Sequence, residues 1–465
     1  MKKLALFIIT LLLISCSSPE KNIQDQVPEN SDLVEEVTPL PKADLENKSS
    51  KEISKKANSD LLQGTLFKCK PLGKHQYYRT DRSFVIDPTD SNIMYINVEH
   101  KGFFKSVDGG KTWALKTKGI PTFGQEDNPT KPCYTEYPVT VIDPKNPKHI
   151  ILALSGPPSS IDSGYILALA GGLAESFDGA ETWQQNTKSW MNTYVTDVAI
   201  DPGDSNIFYY TTAALPSSYD HLNPNKIFVT KGLVYKTSDG GNSWEELPTG
   251  FFDNSAAVAI YLNPKNTQEI LVPTYTDSRQ SPNQPHTTEG VKQMGLLKSS
   301  NGGKTWSALL SLPEGYEGVR ESAVSTNNFN HIFIEPFYSE QYPPKNFYSN
   351  DGGKNFKLSS IYMDIAKYDP HDKTGNHLLG YQRTTIGPQM PAIYESSDAG
   401  ATWKKISDAP QEIINNREYL ESISNIVWDP KEKEIVYLTG AGGYIWKSVD
   451  SGKNWKSILN IEKLK

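Results

Sequence analysis

The octet Ser106-Val107-Asp108-Gly109-Gly110-Lys111-Thr112-Trp113 occurs in seven versions along the chain. The others run Ser176 to Trp183, Thr237 to Trp244, Ser299 to Trp306, Ser349 to Phe356, Ser396 to Trp403 and Ser448 to Trp455. The shared pattern is S-x-D-x-G-x-T-W, and such repetition marks an architecture copied from one unit. The acid (Asp108, Asp178, Asp239, Asp351, Asp398, Asp450) accepts N–H bonds inside its own turn, and Asn301 stands in for it once. Gly two places later permits positive φ, with Ala180 the exception. Thr or Ser adds a hydroxyl to the turn. The closing aromatic (Trp113, Trp183, Trp244, Trp306, Phe356, Trp403, Trp455) opens a strand and supplies an apolar plate.

A second marker precedes each octet: Asp87-Pro88, Asp143-Pro144, Asp201-Pro202, Asn263-Pro264, Asp369-Pro370 and Asp429-Pro430, with Asn327-Asn328 in the fifth repeat. Apolar, β-branched stretches flank it, as in Phe84-Val85-Ile86 and Ile93-Met94-Tyr95-Ile96. Each repeat therefore reads as strand, Asp-Pro turn, strand, loop, strand, octet turn, strand. The predicted fold is all-β: a seven-bladed β-propeller of four-stranded antiparallel blades. A further strand at 66–69 is expected to help close the ring.

This pattern resembles the Asp-box, or bacterial neuraminidase repeat, propellers over about residues 70 to 460. Similar families are the sortilin-type ectodomains, the xyloglucanase-type glycoside hydrolases, the photosystem II stability factors and the sialidases. The resemblance implies a fold and leaves activity to the site.

Strand alternation puts the Asp-Pro and octet turns on one face and the remaining loops on the other. The octet residues are accordingly expected to be structural. The spacing from marker to octet acid is 21, 35, 38, 38, 24, 29 and 21 residues, so repeats two, three and four carry long insertions on the opposite face. The gaps from Trp113 to Asp143 and from Trp403 to Asp429 are also long. Loops on a rigid scaffold make binding surfaces. The candidate ligand-binding residues there are Tyr134, Tyr219, His221, Tyr275, Arg279, Tyr338 and Arg417, since tyrosine beside polar groups suits a saccharide or a protein hot spot.

The chain has 465 residues, a net charge of −7 and a pI near 5.7. No basic footprint for nucleic acid is evident. Lys2 and Lys3, an apolar run from Leu4 to Ile14 and Cys16 resemble a bacterial lipoprotein signal, too short to span a bilayer. Residues 1–15 are read as signal peptide, and Cys16 as the lipidated residue. Residues 16–58 form a tether of Ser, Pro, Glu and Lys without aromatics, unable to build a core. Residues 59–465 are the propeller. The partners expected are a membrane, through the lipid, and a protein or polysaccharide ligand, on a monomer in the cell envelope. Where an outer membrane exists, that membrane is the expected location. Cys69 and Cys133 are a possible disulfide in such a compartment, or two buried thiols.

A sialidase needs three Arg on a carboxylate, and that family carries an Arg-Ile-Pro motif absent here. The six Arg lie at 79, 82, 279, 320, 383 and 417. A xyloglucanase-like enzyme needs two opposed carboxylates. That family's Arg-Thr-Asp step resembles Arg79-Thr80-Asp81, but here it sits one strand early. The candidate catalytic acids are Asp81, Glu99, Glu321 and Glu421. No cofactor motif and no Cys/His metal cluster occurs. The leading expectation is a non-catalytic binding propeller, and the alternative is a glycoside hydrolase acting through a carboxylate pair.

Overall fold

A computed structural model describes residues 68–69, 82–98, 101–120, 122–125, 132–134, 139–154, 172–189, 195–212, 234–250, 255–276, 295–311, 316–338, 345–383, 390–415, 423–440 and 443–459. The chain divides into two units, Met1–Ser49 and Ser50–Lys465. The first unit, Cys16 and the tether lie outside the described residues.

The second unit is nearly all-β. Repeat one supplies the strands Val85–Ile86, Met94–Val98, Gly102–Ser106 and Ala114–Leu115, paired in that order. Repeats two, three, six and seven form four-stranded antiparallel sheets in the same way. Repeats four and five share one nine-stranded sheet, joined where Tyr275 of strand Ile270–Thr276 meets Gly318 of strand Tyr316–Val324. A Cβ on Gly318 would lie 2.3 Å from the Tyr275 Cα, so this junction requires glycine. The 68–69 segment pairs elsewhere than expected. Lys68–Cys69 runs parallel to Thr122–Gln125, which also pairs with Pro132–Tyr134. The long connection between octet one and repeat two thus makes a small sheet of its own. Cys69 and Cys133 lie on its two outer strands with Thr122–Gln125 between them, and their side chains lie outside the described residues.

The octet turns share one hydrogen-bond scheme. Ser106 Oγ accepts the Gly110 N–H at 2.9 Å and donates to Asp108 Oδ1 at 2.8 Å. Asp108 Oδ1 accepts the Thr112 N–H at 2.9 Å, and Oδ2 accepts the Thr112 hydroxyl at 2.6 Å. These bonds hold the Asp108 carboxyl down at about 2. Asn301 keeps the scheme, its amide donating to Thr305 Oγ1 at 2.8 Å. Asn355 and Asn454 replace the hydroxyl donor with an amide. Each octet turn is also tied to its own Asp-Pro turn, as by Gly109 N–H on Asn92 O and Ser451 N–H on Glu434 O. The two turn types therefore share a face.

Both residues after the acid are left-handed, including Ala399 and Ser451 at the first position and Ala180 at the second. The sequence reading asked this only of the second.

The buried core follows the same repetition. Among the described residues, each cluster joins the sheets of two successive repeats. Phe103 and Tyr95 of repeat one meet Ile150, Leu152 and Trp183 of repeat two. The last cluster joins Tyr437 and Ile445 of repeat seven to Phe84, Met94 and Ile96 of repeat one, so the succession closes on itself. Every octet aromatic lies in the cluster shared with the preceding repeat, from Trp113 against repeat seven to Trp455 against repeat six.

Gly303→Ala places a Cβ 2.4 Å from Leu247 Cδ1 at φ +91°. It is expected to destabilise the fold by about 1–3 kcal/mol. Ala180→Gly, which relieves φ +70°, is expected to be neutral or stabilising by up to about 1 kcal/mol. Urea unfolding of both variants checks the pair, and equal midpoints would contradict the turn geometry.

Candidate functional site

The first strands of repeats one and two, two and three, five and six, and six and seven lie against one another. Charged residues on or beside several first strands meet. Arg82 precedes the first strand of repeat one, and its backbone bridges to Val139 at the start of repeat two. Its Nη1 lies 3.3 Å from Asp197 Oδ2 of repeat three, and its Nη2 lies 3.1 Å from Glu321 Oε2 of repeat five. Repeats one, three and five are not neighbours, so these ion pairs cross the interior. Lys367 Nζ of repeat six stands 3.8 Å from the same Glu321 oxygen. Asp197 also accepts the N–H groups of Val198 at 2.9 Å and Ile260 at 3.0 Å. The Tyr261 hydroxyl donates to the Ser322 carbonyl at 2.7 Å.

A second group adjoins the first. Glu335 stands directly opposite Glu321 on the neighbouring antiparallel strand, so both side chains leave the same face. Glu335 Oε1 accepts from Arg320 Nη1 at 3.3 Å and from the Tyr362 hydroxyl. Its Oε2 is buried without a hydrogen-bond partner among the described residues. Asp364 Oδ2 accepts the Arg383 N–H at 2.5 Å, and the Arg383 side chain lies 3.5 Å from Oδ1.

The two glutamates are driven apart electrostatically. Burial pushes Glu335 up to about 8, against the pull of Arg320 and Tyr362 and with the help of Asp364 and Glu321. Burial also raises Glu321, but Arg82 and Lys367 outweigh it and leave that carboxyl below its ordinary value. Burial is the largest cause at Glu335, and the like charge of Glu321 adds to it. Burial raises Asp197 despite Arg82, and raises Asp364 despite Arg383.

Of the acids singled out from sequence, Glu321 lies in this network, with 30% of its side chain exposed. Asp81, Glu99 and Glu421 lie outside the described residues. Tyr219, His221, Arg279 and Arg417 also lie outside them, and Tyr134 and Tyr338 are placed only as strand backbone. Tyr275 is half-buried at the junction of repeats four and five. Sequence reading missed Arg82, Asp197, Arg320, Glu335, Tyr362, Asp364, Lys367 and Arg383. One signal was available: charged residues interrupt otherwise apolar strands, as in Val195-Thr196-Asp197-Val198-Ala199-Ile200. Arginine is scarce, and the three within the described residues all belong to this network. No cluster of His, Cys, Asp and Glu suited to a metal ion occurs among the described residues.

No family model matches the chain. A xyloglucanase from Hypocrea jecorina is 24% identical over 285 residues, which is 50% of this chain and 31% of that protein. Xyloglucanase Xgh74A from Acetivibrio thermocellus is 23% identical over 358 residues, 69% of this chain and 37% of that protein. The chain thus spans about a third of the length of these curated relatives. Among solved structures, the GH74 xyloglucanase from Xanthomonas campestris aligns with TM-score 0.57 and 13% identity, covering 83% of this chain and 55% of that one. An ancestral GH74 enzyme aligns with TM-score 0.55 and 16% identity, covering 85% and 48%. The two solved structures share the β-propeller fold with this chain.

Two outcomes follow from the network. Arg82→Gln strands Asp197 and Glu321, and is expected to cost about 3 kcal/mol, the low end for a broken buried pair because the group keeps some water contact. A loss below about 0.5 kcal/mol in urea unfolding would make the pairs incidental. For Glu335 the folded pKa exceeds the unfolded one. Its contribution to stability is therefore full below about 4.5 and declines as pH rises to about 8. Glu335→Gln, which cannot titrate, should gain on the wild type across that window. Parallel stability curves would contradict the shifted carboxyl.

Proposed function

We propose that the chain is a lipid-anchored, seven-bladed propeller that hydrolyses a β-linked polysaccharide of the xyloglucan class, with Glu335 and Glu321 as its acid–base pair. The observation that carries this reading is the directly opposed pair Glu321 and Glu335, one beside Arg82 and Lys367 and the other buried on Arg320 and Tyr362. Divergent carboxyls in one site are what acid–base chemistry on a glycosidic bond requires. The curated relatives named xyloglucanases lend support, and they favour the hydrolase over the binding module preferred from sequence.

In this reading Glu335 delivers a proton to the departing glycosidic oxygen. Arg320 and Tyr362 fix its Oε1 and leave Oε2 to carry that proton. Glu321 acts as the ionised partner, on a water molecule or on the anomeric carbon. Arg82 and Lys367 keep it charged at neutral pH. Asp197 balances Arg82 and so limits its pull on Glu321. Catalysis requires substrate to reach Glu335, whose side chain is 2% exposed.

That burial favours a second reading, in which the charged network is a set of struts and the propeller only binds. Reducing-end release from xyloglucan and other β-glucans separates the two. The hydrolase reading expects release by the wild type and a loss of roughly 10²–10⁴-fold in kcat for Glu321→Gln and for Glu335→Gln. Binding of the same polysaccharide without release by the wild type would leave the binding reading standing and remove the hydrolase.

The anchor rests on the segment from Lys2 to Cys16. The protein acts as a monomer at the envelope, on the outer membrane where there is one, reached by the tether of residues 16–58. Cys16→Ala is expected to abolish labelling by a fatty-acid probe and to release the protein from the membrane fraction. Labelling that persists would contradict the assignment.

A further inference from the structure

The second residue of the octet is exposed in every repeat. In repeats three to six it is polar: Ser238, Ser300, Asn350 and Ser397. In the other three it is apolar: Val107 is 64% exposed, Phe177 56% and Val449 63%. Chain order separates Val449 from Val107 by almost the whole fold. The core cluster shared by repeats seven and one makes them neighbours. The apolar tips therefore belong to three consecutive repeats, seven, one and two, and the polar ones to the other four. Their turns are rigid, each bonded to its Asp-Pro turn through Ser451, Gly109 and Gly179. The His149 ring stacks on one face of Phe177 at 4.7 Å and 5°, which fixes that ring.

We propose that this arc of three octet tips rests on the lipid bilayer to which the chain is anchored. The inference builds on the lipid anchor at Cys16. Three features select this occupant. The tips stand on separate turns with polar residues around them, whereas a protein hot spot is a packed, continuous pocket. A bilayer interface takes in separate apolar tips and leaves the polar turns among the headgroups. The arc is centred on repeat one, the repeat nearest in sequence to Cys16. A tethered protein also needs only weak contacts, because the anchor raises their effective concentration. Exposed Lys111 and Lys453, at position six of two of these turns, keep their ammonium groups at headgroup level.

Lys304 and Lys354 occupy the same octet position in repeats four and five, which makes them internal controls. The test is acylation by a water-soluble amine reagent of the full-length lipidated protein in phosphatidylethanolamine–phosphatidylcholine vesicles. Lys111 and Lys453 are expected to react roughly threefold or more slowly than Lys304 and Lys354, and the triple variant Val107→Ser, Phe177→Ser, Val449→Ser should erase the difference. Equal reactivity of the four lysines in a lipidated, vesicle-bound wild type overturns the docking and leaves the anchor intact. Protection that survives the triple substitution means another cover, such as a protein or a second copy, and also overturns it. Absence of lipid on Cys16 removes the anchor and the docking together.

Discussion

The wedge of each octet aromatic against the preceding repeat is the contact on which the rest of this structure depends. A single four-stranded sheet of two- to six-residue strands has little apolar area to bury alone. The aromatic at the end of the octet gives each sheet a plate that its predecessor helps to cover, as Phe103 does for Trp183 and Phe333 for Trp403. Applied seven times in one direction, the rule leaves repeat one needing a predecessor, and repeat seven supplies it through Tyr437, Ile445 and Leu459. The turn that aims the plate is built from local bonds among Ser, Asp and Thr or Asn. It therefore tolerates Asn301, Asn355 and Asn454, which change the donor and keep the geometry.

Closure has a consequence for chemistry. It gives the repeats a common interior, where residues far apart in sequence meet. Arg82 reaches Asp197 and Glu321 across that space, and Lys367 joins from a fourth repeat. A site of this kind is assembled by ring closure rather than by any local motif. Burial and the cations beside each carboxyl compete to set its pKa. Glu321 has two, and stays charged. Glu335 has Arg320, and burial outweighs it.

The repeats, the strand order within them and the shared face of the two turn types were legible in the sequence, because each is encoded within about twenty residues. Most of what was not legible depends on contacts between repeats. Glu321 was found as an acid near a first strand, but its partner Glu335 lies fourteen residues on, in a strand that reads as apolar. Arg82 was passed over because it precedes the first marker, and its partners are 115 and 239 residues away. The strand at 68–69 was expected to close the ring; the wedge contacts between repeats seven and one do that, and the strand pairs with the connection after octet one. The left-handed residue directly after the octet acid was missed because Ala399 and Ser451 disguise a position that is glycine elsewhere.

The central claim is that two adjacent glutamates are held in opposite charge states. Infrared difference spectroscopy of the wild type against Glu335→Gln at pH 7 tests it most directly. The account predicts a protonated-carboxyl band in the wild type that is missing from Glu335→Gln and present in Glu321→Gln. A wild type with no such band, both glutamates being ionised, would contradict it.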